Sequence, residues 1–161
     1  MLTAVVGINW GDEGKGRMVD LLSSSYDVVV RYQGGNNAGH TVVNEKGTFI
    51  LNLLPSGITR DETVCVMGPG MVIDLEIEKN RALGLNINPD RLKISDKAVI
   101  CMPYHKLLDG LEEDRLAGKA YGSTRRGISP VYSDKYMKKA FKMGDLLDDK
   151  AINDRLAGVL E

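Results

Sequence analysis

The 161-residue chain has only two cysteines, Cys65 and Cys101, and neither stands in a C-x-x-C or zinc-type spacing. Two thiols cannot make a disulfide framework, so they read as reduced, buried thiols in a cytosolic protein. Aromatic residues are scarce at 6%, beside 18 glycines, a balance that suits loop-rich α/β proteins better than β-sandwiches. No apolar run approaches the roughly 20 residues of a membrane-spanning helix, so no membrane partner is expected. The opening residues turn polar after Gly7 and carry no basic stretch, so no secretory leader is expected either. What is present, 43% hydrophobic and 27% charged residues, describes one compact domain with a workable core.

Net charge is also nearly absent, at -1, but that value conceals a split. Residues 119–142 hold seven basic side chains against one acidic, a block of +6, while residues 143–161 carry -3 and the first 118 carry -4. A +6 block suits a polyanion such as a nucleotide phosphate, and a solvated basic face would read the same way.

Along the chain, residues 2–7 (LTAVVG) read as a short buried strand. A loop over 8–14 leads to a helix over 15–24, with Met18, Val19, Leu21 and Leu22 on its apolar face. Residues 27–31 (DVVVR) form a second strand, followed by a Gly/Asn loop over 32–39. Strand, loop, helix and strand in this order indicate an α/β fold with a largely parallel central sheet and flanking helices. Residues 41–43 and 48–53 flank N-E-K-G as a hairpin, and 64–67 is another strand. Asp74 is placed to cap a helix running to Leu83, with Gly84 as its stop. Short strands are expected over 92–94 and 99–102. Pro103 opens a helix bearing Tyr104, Leu107, Leu108 and Leu111; His105, beside Lys106 on that helix, reads as structural. Residues 116–130 read as one long loop, of the kind that carries function. A last helix begins near Asp148, with Ile152, Leu156, Val159 and Leu160 on one face.

Three segments carry chemistry. The first, G-I-N-W-G-D-E-G-K-G-R over residues 7–17, lies between a strand and a helix. Its glycines let backbone N–H groups face an anion, and the helix N-terminus and Lys15 add positive charge. It is not a Walker A loop, because Asn9 stands where that pattern needs Gly and Gly16 where it needs Ser or Thr. Asp12 and Glu13 within it repel phosphate unless they hold a metal or accept a proton. The second, G-G-N-N-A-G-H-T over 34–41, follows the next strand and should face the first across the ligand crevice. His40 there titrates near neutrality and can donate to an oxyanion. The third, G-S-T-R-R-G-I-S-P-V-Y-S-D-K over 122–135, gathers the hydroxyls, guanidinium groups and glycines that a phosphate monoester needs.

Taken together and in this order, WGDEGKGR, GGNNAGHT and GSTRRGISPVYSDK resemble the N-terminal portion of adenylosuccinate synthetase, from about Leu2 to the end of the chain. The resemblance implies a P-loop-NTPase-like fold of which residues 1–161 are the N-terminal part of a larger domain. It implies GTP-dependent ligation of IMP and L-aspartate through a 6-phosphoryl intermediate, in a cytoplasmic homodimer with no nucleic-acid partner. Asp12 would then take the purine N1 proton and ligate Mg²⁺ together with the Gly39 carbonyl. His40 would act as the acid on the phosphoryl group, and Lys15 would neutralise developing charge. Gly11, Asp12, Glu13, Gly14, Lys15, Gly16 and Arg17, with Gly39, His40 and Thr41, would surround the GTP phosphates. Asp12, Asn37, Thr124 and Lys138 would hold IMP, Lys138 by way of a partner subunit. Three positions depart from the family pattern. Arg17 replaces Lys; Ser129 replaces a Gly, which matters if that position needs a positive φ; Lys138 replaces an Arg and loses its bidentate fork. The family's guanine-reading T-K-x-D segment and aspartate loop have no counterpart in the sequence, so little or no turnover is expected of this chain alone. The alternatives are a non-catalytic nucleotide-binding module and a relative acting on another purine; the latter tends to replace the Asp at position 12, which this sequence keeps.

Overall fold

A computed structural model describes residues 1–9, 11, 13–76, 85 and 87–160. Its centre is a parallel sheet in which strand β4 (Val64–Ile73) pairs with β1 (Val28–Gly34) on one side. On the other side β4 pairs with β5 (Leu92–Ile94) and, further along, with β6 (Val99–Ile100), both parallel. A separate hairpin, β2 (His40–Asn44) and β3 (Gly47–Leu51), turns at residues 45–46 as its N-E-K-G sequence implies. The helices are α1 (Lys15–Ser23), α2 (Pro103–Leu116), α3 (Ile128–Tyr136) and α4 (Asp149–Leu160). The expected α/β fold with a largely parallel sheet is what the chain forms.

β4 is the central strand, paired on both sides, and over Met71, Val72 and Ile73 it is buried on both faces, as inner parallel strands are. Cys65, Met67, Met71 and Ile73 pack with Leu51, Leu53, Leu54 and Ile58 from the hairpin and the 3-10 turn Ser56–Thr59. Val72 faces a second cluster with Val99, Cys101, Val131 and Ala140, which seats α3. Both thiols are buried, and burial pushes each up to about 11, so neither is a nucleophile near neutral pH.

Several expectations need correction. Residues 2–7 form no strand: they are mostly exposed and pair with no other strand among the described residues. An apolar run becomes a strand only where a ladder takes up its N–H and C=O groups. The long loop over 116–130 is shorter than expected, because α3 starts at Ile128 and carries Pro130 in its first turn, where a missing N–H costs no intrahelical bond. The helix expected from Asp74 to Leu83 falls mostly outside the described residues.

The apolar faces of two helices also point the other way. α1 leaves Met18 and Leu21 exposed and buries Asp20, whose carboxylate accepts from Thr59 Oγ1 at 3.1 Å and lies 3.7 Å from the Arg60 guanidinium. In α2 Leu107 is 62% exposed and Leu108 and Leu111 are exposed too, while His105, Asp109 and Glu113 are buried. Both helices therefore dock through hydrogen bonds rather than through their leucines.

Candidate functional site

The polar loops gather at the carboxyl ends of the parallel strands, where open α/β sheets take their ligands. After β1 comes the loop containing Asn36 and Asn37; after β4 comes Asp74; after β6 comes α2 with Lys106 in its first turns. One buried carboxylate ties these ends together. Asp74 is 1% exposed, and its Oδ2 accepts from Asn36 Nδ2 at 2.6 Å and meets Lys106 Nζ at 2.6 Å. Sequence reasoning missed this role of Asp74, reading only a cap.

The first two motif loops touch directly. A Cβ at Gly16 would lie 2.4 Å from Cδ2 of His40, so only a residue without a side chain lets the imidazole lie against the start of α1. His40 Nε2 is 2.9 Å from Ser56 Oγ, which is buried in the 3-10 turn. Burial, with the positive charge of Arg31 adding to it, holds the His40 pKa below its ordinary value. The ring is therefore neutral at pH 7, a hydrogen-bond donor rather than a fixed cation. Ser56 had no signal in the sequence beyond its place after Pro55.

Lys15 does not stand free. Its Nζ pairs with the Glu13 carboxylate over Gly7, and the same carboxylate accepts from the Asn9 N–H at 3.1 Å. The Lys15 ammonium holds the Glu13 carboxyl below its usual range. Exposed pairs of this kind are worth little, so an arriving phosphate has only a weak competitor for Lys15. Gly11, Arg17, Thr41, Asn37 and Gly39 are exposed around the same loops. Asp12 lies outside the described residues.

The second and third motifs also meet. A Cβ at Gly35 would lie 2.4 Å from Ile128 Cδ1, at the start of α3. Thr124 is exposed in the loop just before it. Ser129 sits in the first turn of α3 and is not among the positive-φ residues, so its departure from the family's Gly costs nothing in backbone geometry. Lys138 does adopt a positive φ of 63°, beyond the end of α3; its carbonyl accepts from Arg155 Nη1 at 2.9 Å. With Lys139, Asp154 and Arg155 it lines a cleft of about 170 Å³ against α4, apart from the three loops. Thus the phosphate loop meets the His40 loop at Gly16, the second motif meets the third at Ile128, four residues after Thr124, and Lys138 lines a cleft of its own against α4. Among the described residues no group of three or more His, Cys, Asp or Glu side chains could hold a metal ion.

His105, read as structural, is fully buried. Its Nδ1 accepts the Met102 N–H at 2.9 Å, so Nε2 carries the proton and donates to Asp134 Oδ2 at 3.0 Å. Burial outweighs the opposing pull of Asp134 and holds its pKa below the ordinary value. Both histidines thus have folded pKa values below the unfolded value of about 6.5. Between those values the unfolded chain binds more protons than the folded one, so stability present above pH 6.5 is lost as pH falls through that window. The urea midpoint should be lower at about pH 5.5 than at about pH 7.5; a flat or rising midpoint would contradict the burial of both rings.

Comparison with known proteins places the chain in a family. Residues 4–161 match the family model described as adenylosuccinate synthetase. The chain is 51% identical over 162 residues to adenylosuccinate synthetase 2 of Pseudoalteromonas translucida (strain TAC 125), covering 98% of this chain and 38% of that protein. It is 46% identical to the adenylosuccinate synthetase of Dehalococcoides mccartyi (strain BAV1), covering 99% and 38%. The chain thus spans little more than a third of the length of these relatives. Among solved structures, fully ligated adenylosuccinate synthetase from Plasmodium falciparum superposes with a TM-score of 0.88 at 35% identity, over 96% of this chain and 37% of that one. The cyanophage S-2L succinoaminodeoxyadenylate synthetase, bound to dGMP and to dATP as energy donor, matches at a TM-score of 0.65 and 26% identity, over 86% and 39%.

Proposed function

Because the chain belongs to the adenylosuccinate synthetase family, we propose that it carries the phosphoryl-transfer half of a GTP-dependent ligase joining IMP and L-aspartate into adenylosuccinate. On this reading residues 1–161 are the N-terminal part of a larger domain, cytoplasmic and homodimeric when whole. The observation that carries it is the contact of Gly16 with the His40 ring, with the third motif adjoining the second where Gly35 meets Ile128 at the start of α3.

In this reading Asp12 takes the N1 proton of IMP, which makes O6 the nucleophile toward the γ-phosphorus of GTP. The P–O bond to GDP breaks, and O6 becomes part of a phosphate leaving group. The aspartate amine then attacks C6 and expels inorganic phosphate, an exit closed to the unmodified amide-like oxygen. His40, neutral and half-buried, offers an N–H to the transferring oxygens at little reorganisation cost. Lys15, exchanging Glu13 for phosphate, follows the developing charge, and the backbone N–H groups of residues 13–16 at the start of α1 face the same anion. Asn37 and Thr124 hold the inosine nucleotide, and Lys138 serves the partner subunit's nucleotide in the homodimer. The Asp12 carboxylate and Gly39 carbonyl are hard oxygen donors of the kind Mg²⁺ takes while keeping most of its waters. When bound, the ion neutralises phosphate charge.

The test is calorimetry of the chain with IMP and with GTP and Mg²⁺, followed by an assay for adenylosuccinate with aspartate added. The expected result is IMP binding with little or no turnover. Absence of IMP binding overturns the reading, and full turnover by this chain overturns its being only half of a site. In a protein extended to the relatives' length, Asp12→Asn should cut turnover by about 100-fold or more while leaving IMP affinity near normal. Tighter binding of dGMP than of IMP would assign the chain to a different purine.

A further inference from the structure

α2 is a helix whose buried face is polar. His105, Asp109 and Glu113 recur at every fourth residue, so they form one stripe, while Leu107, Leu108 and Leu111 face outward. Every group on that stripe holds a point of the third motif, in reverse order along the chain. His105 holds Asp134 near the end of α3. Asp109 Oδ2 accepts the Gly127 N–H at 2.9 Å, and its Oδ1 accepts the Ser123 hydroxyl at 3.1 Å. Glu113 Oε2 accepts the Gly122 N–H at 3.0 Å, and its Oε1 accepts the Tyr121 N–H at 3.2 Å. One residue further on, Asp114 Oδ1 pairs with Arg125 Nη2 at 2.7 Å.

The segment so held is strained. Arg125 has φ 52°, a left-handed conformation that a non-glycine residue rarely adopts, and it lies next to Thr124. Such backbone persists only where its surroundings over-determine it; here the Arg125 N–H is held by Ser123 Oγ at 3.2 Å, and Ser123, Gly127, Gly122 and the Arg125 side chain are held by α2 carboxylates.

We propose that Asp109 and Glu113 are positioning residues that hold the backbone of the Thr124 loop in the shape that receives the inosine nucleotide. This deepens the functional reading above and rests on it. Neither side chain touches the nucleotide; each acts through the loop backbone. The two carboxylates differ in a way that makes the idea testable. Both partners of Glu113 are backbone N–H groups, which can only donate, so Glu113→Gln turns an NH₂ against an N–H whichever way its amide lies. One partner of Asp109 is the Ser123 hydroxyl, whose oxygen accepts the Arg125 N–H at 3.2 Å and has a second lone pair for an amide N–H, so Asp109→Asn keeps both contacts.

The experiment measures IMP affinity by calorimetry and amide exchange by NMR for the chain, Glu113→Gln and Asp109→Asn. Glu113→Gln should weaken IMP binding about tenfold or more and speed exchange at Tyr121 and Gly122, with the β4 amides unchanged. Asp109→Asn should stay within about threefold of the unmodified chain. Equal IMP affinity in all three proteins, or weakening by Asp109→Asn as large as by Glu113→Gln, overturns the proposal while leaving the nucleotide reading intact. Failure of the unmodified chain to bind IMP overturns both. Faster exchange at the β4 amides together with the loop would make Glu113 a general stability residue and would also overturn it. Should Glu113→Gln not fold, Asp109→Ala against Asp109→Asn reads the same contrast, the former losing affinity and the latter keeping it.

Discussion

Gly127→Ala should be among the most damaging single substitutions in the chain, at about 3 kcal/mol of unfolding free energy. Two costs combine there. Gly127 has φ 76°, and a Cβ on left-handed backbone costs roughly 1–2 kcal/mol. The added Cβ would also lie 2.9 Å from the carbonyl carbon of His105 and from the N of Lys106, backbone atoms at the start of α2 that cannot swing aside. Forcing them apart adds an overpacking cost of about 1–3 kcal/mol. Gly122 separates the two terms. It has nearly the same φ, 72°, but a Cβ there meets nothing within 4 Å. Gly122→Ala should therefore cost only the backbone term, about 1 kcal/mol. Urea unfolding of both variants checks this, and equal losses would show that α2 and α3 do not press together at Gly127.

That comparison also shows what the sequence made legible. The parallel sheet and the Gly/Asn loop after β1 could be read directly, because a glycine-rich turn after a short apolar strand carries a local signature. The hairpin was legible for the same reason, through N-E-K-G between two β-rich runs. What could not be read was which face of a helix meets the rest of the chain. Apolar periodicity in α1 and α2 marks the side that avoids water, yet Met18, Leu21, Leu107, Leu108 and Leu111 are exposed in this chain, and the carboxylates of Asp20, Asp109 and Glu113 are inside. A carboxylate on a helix looks like surface until its partner is known, and the partners here are N–H and hydroxyl groups 8 to 39 positions away. α3 was hidden because Gly127 and Pro130 read as loop residues, although one serves as its left-handed entry and the other sits in its first turn. Residues 2–7 failed for the opposite reason, since the pattern of a strand says nothing of whether a neighbour exists to pair with it. Asp74 was legible only as a helix cap beyond a strand expected over 64–67, whereas the strand runs on to Ile73, and its use in joining two loops depended on Asn36 and Lys106, 38 and 32 positions away.

Asp74→Ala tests that junction. Removing the carboxylate leaves the Asn36 amide nitrogen without its 2.6 Å acceptor and the Lys106 ammonium without its 2.6 Å counter-ion. Breaking a buried pair costs about 3–5 kcal/mol when the stranded charge stays buried. Asp74 is buried, but the Lys106 side chain is 31% exposed and can turn its head toward water. The expected loss is accordingly smaller, about 2–3 kcal/mol. Lys106→Ala alone should cost less, about 1–2 kcal/mol, because Asn36 still partners the carboxylate. The double variant Asp74→Ala, Lys106→Ala should be more stable than the sum of the single losses implies, since no charge is then stranded. The loop should register the change as well. Asn36 precedes Asn37, so losing the Asp74 anchor should weaken IMP binding by about three- to tenfold in Asp74→Ala, and less in Lys106→Ala. A double-mutant cycle by urea unfolding, with IMP titrations of the same proteins, checks both. Strict additivity would mean that Asp74 and Lys106 do not act as a pair, and unchanged IMP affinity would separate the stability of this junction from the site it borders.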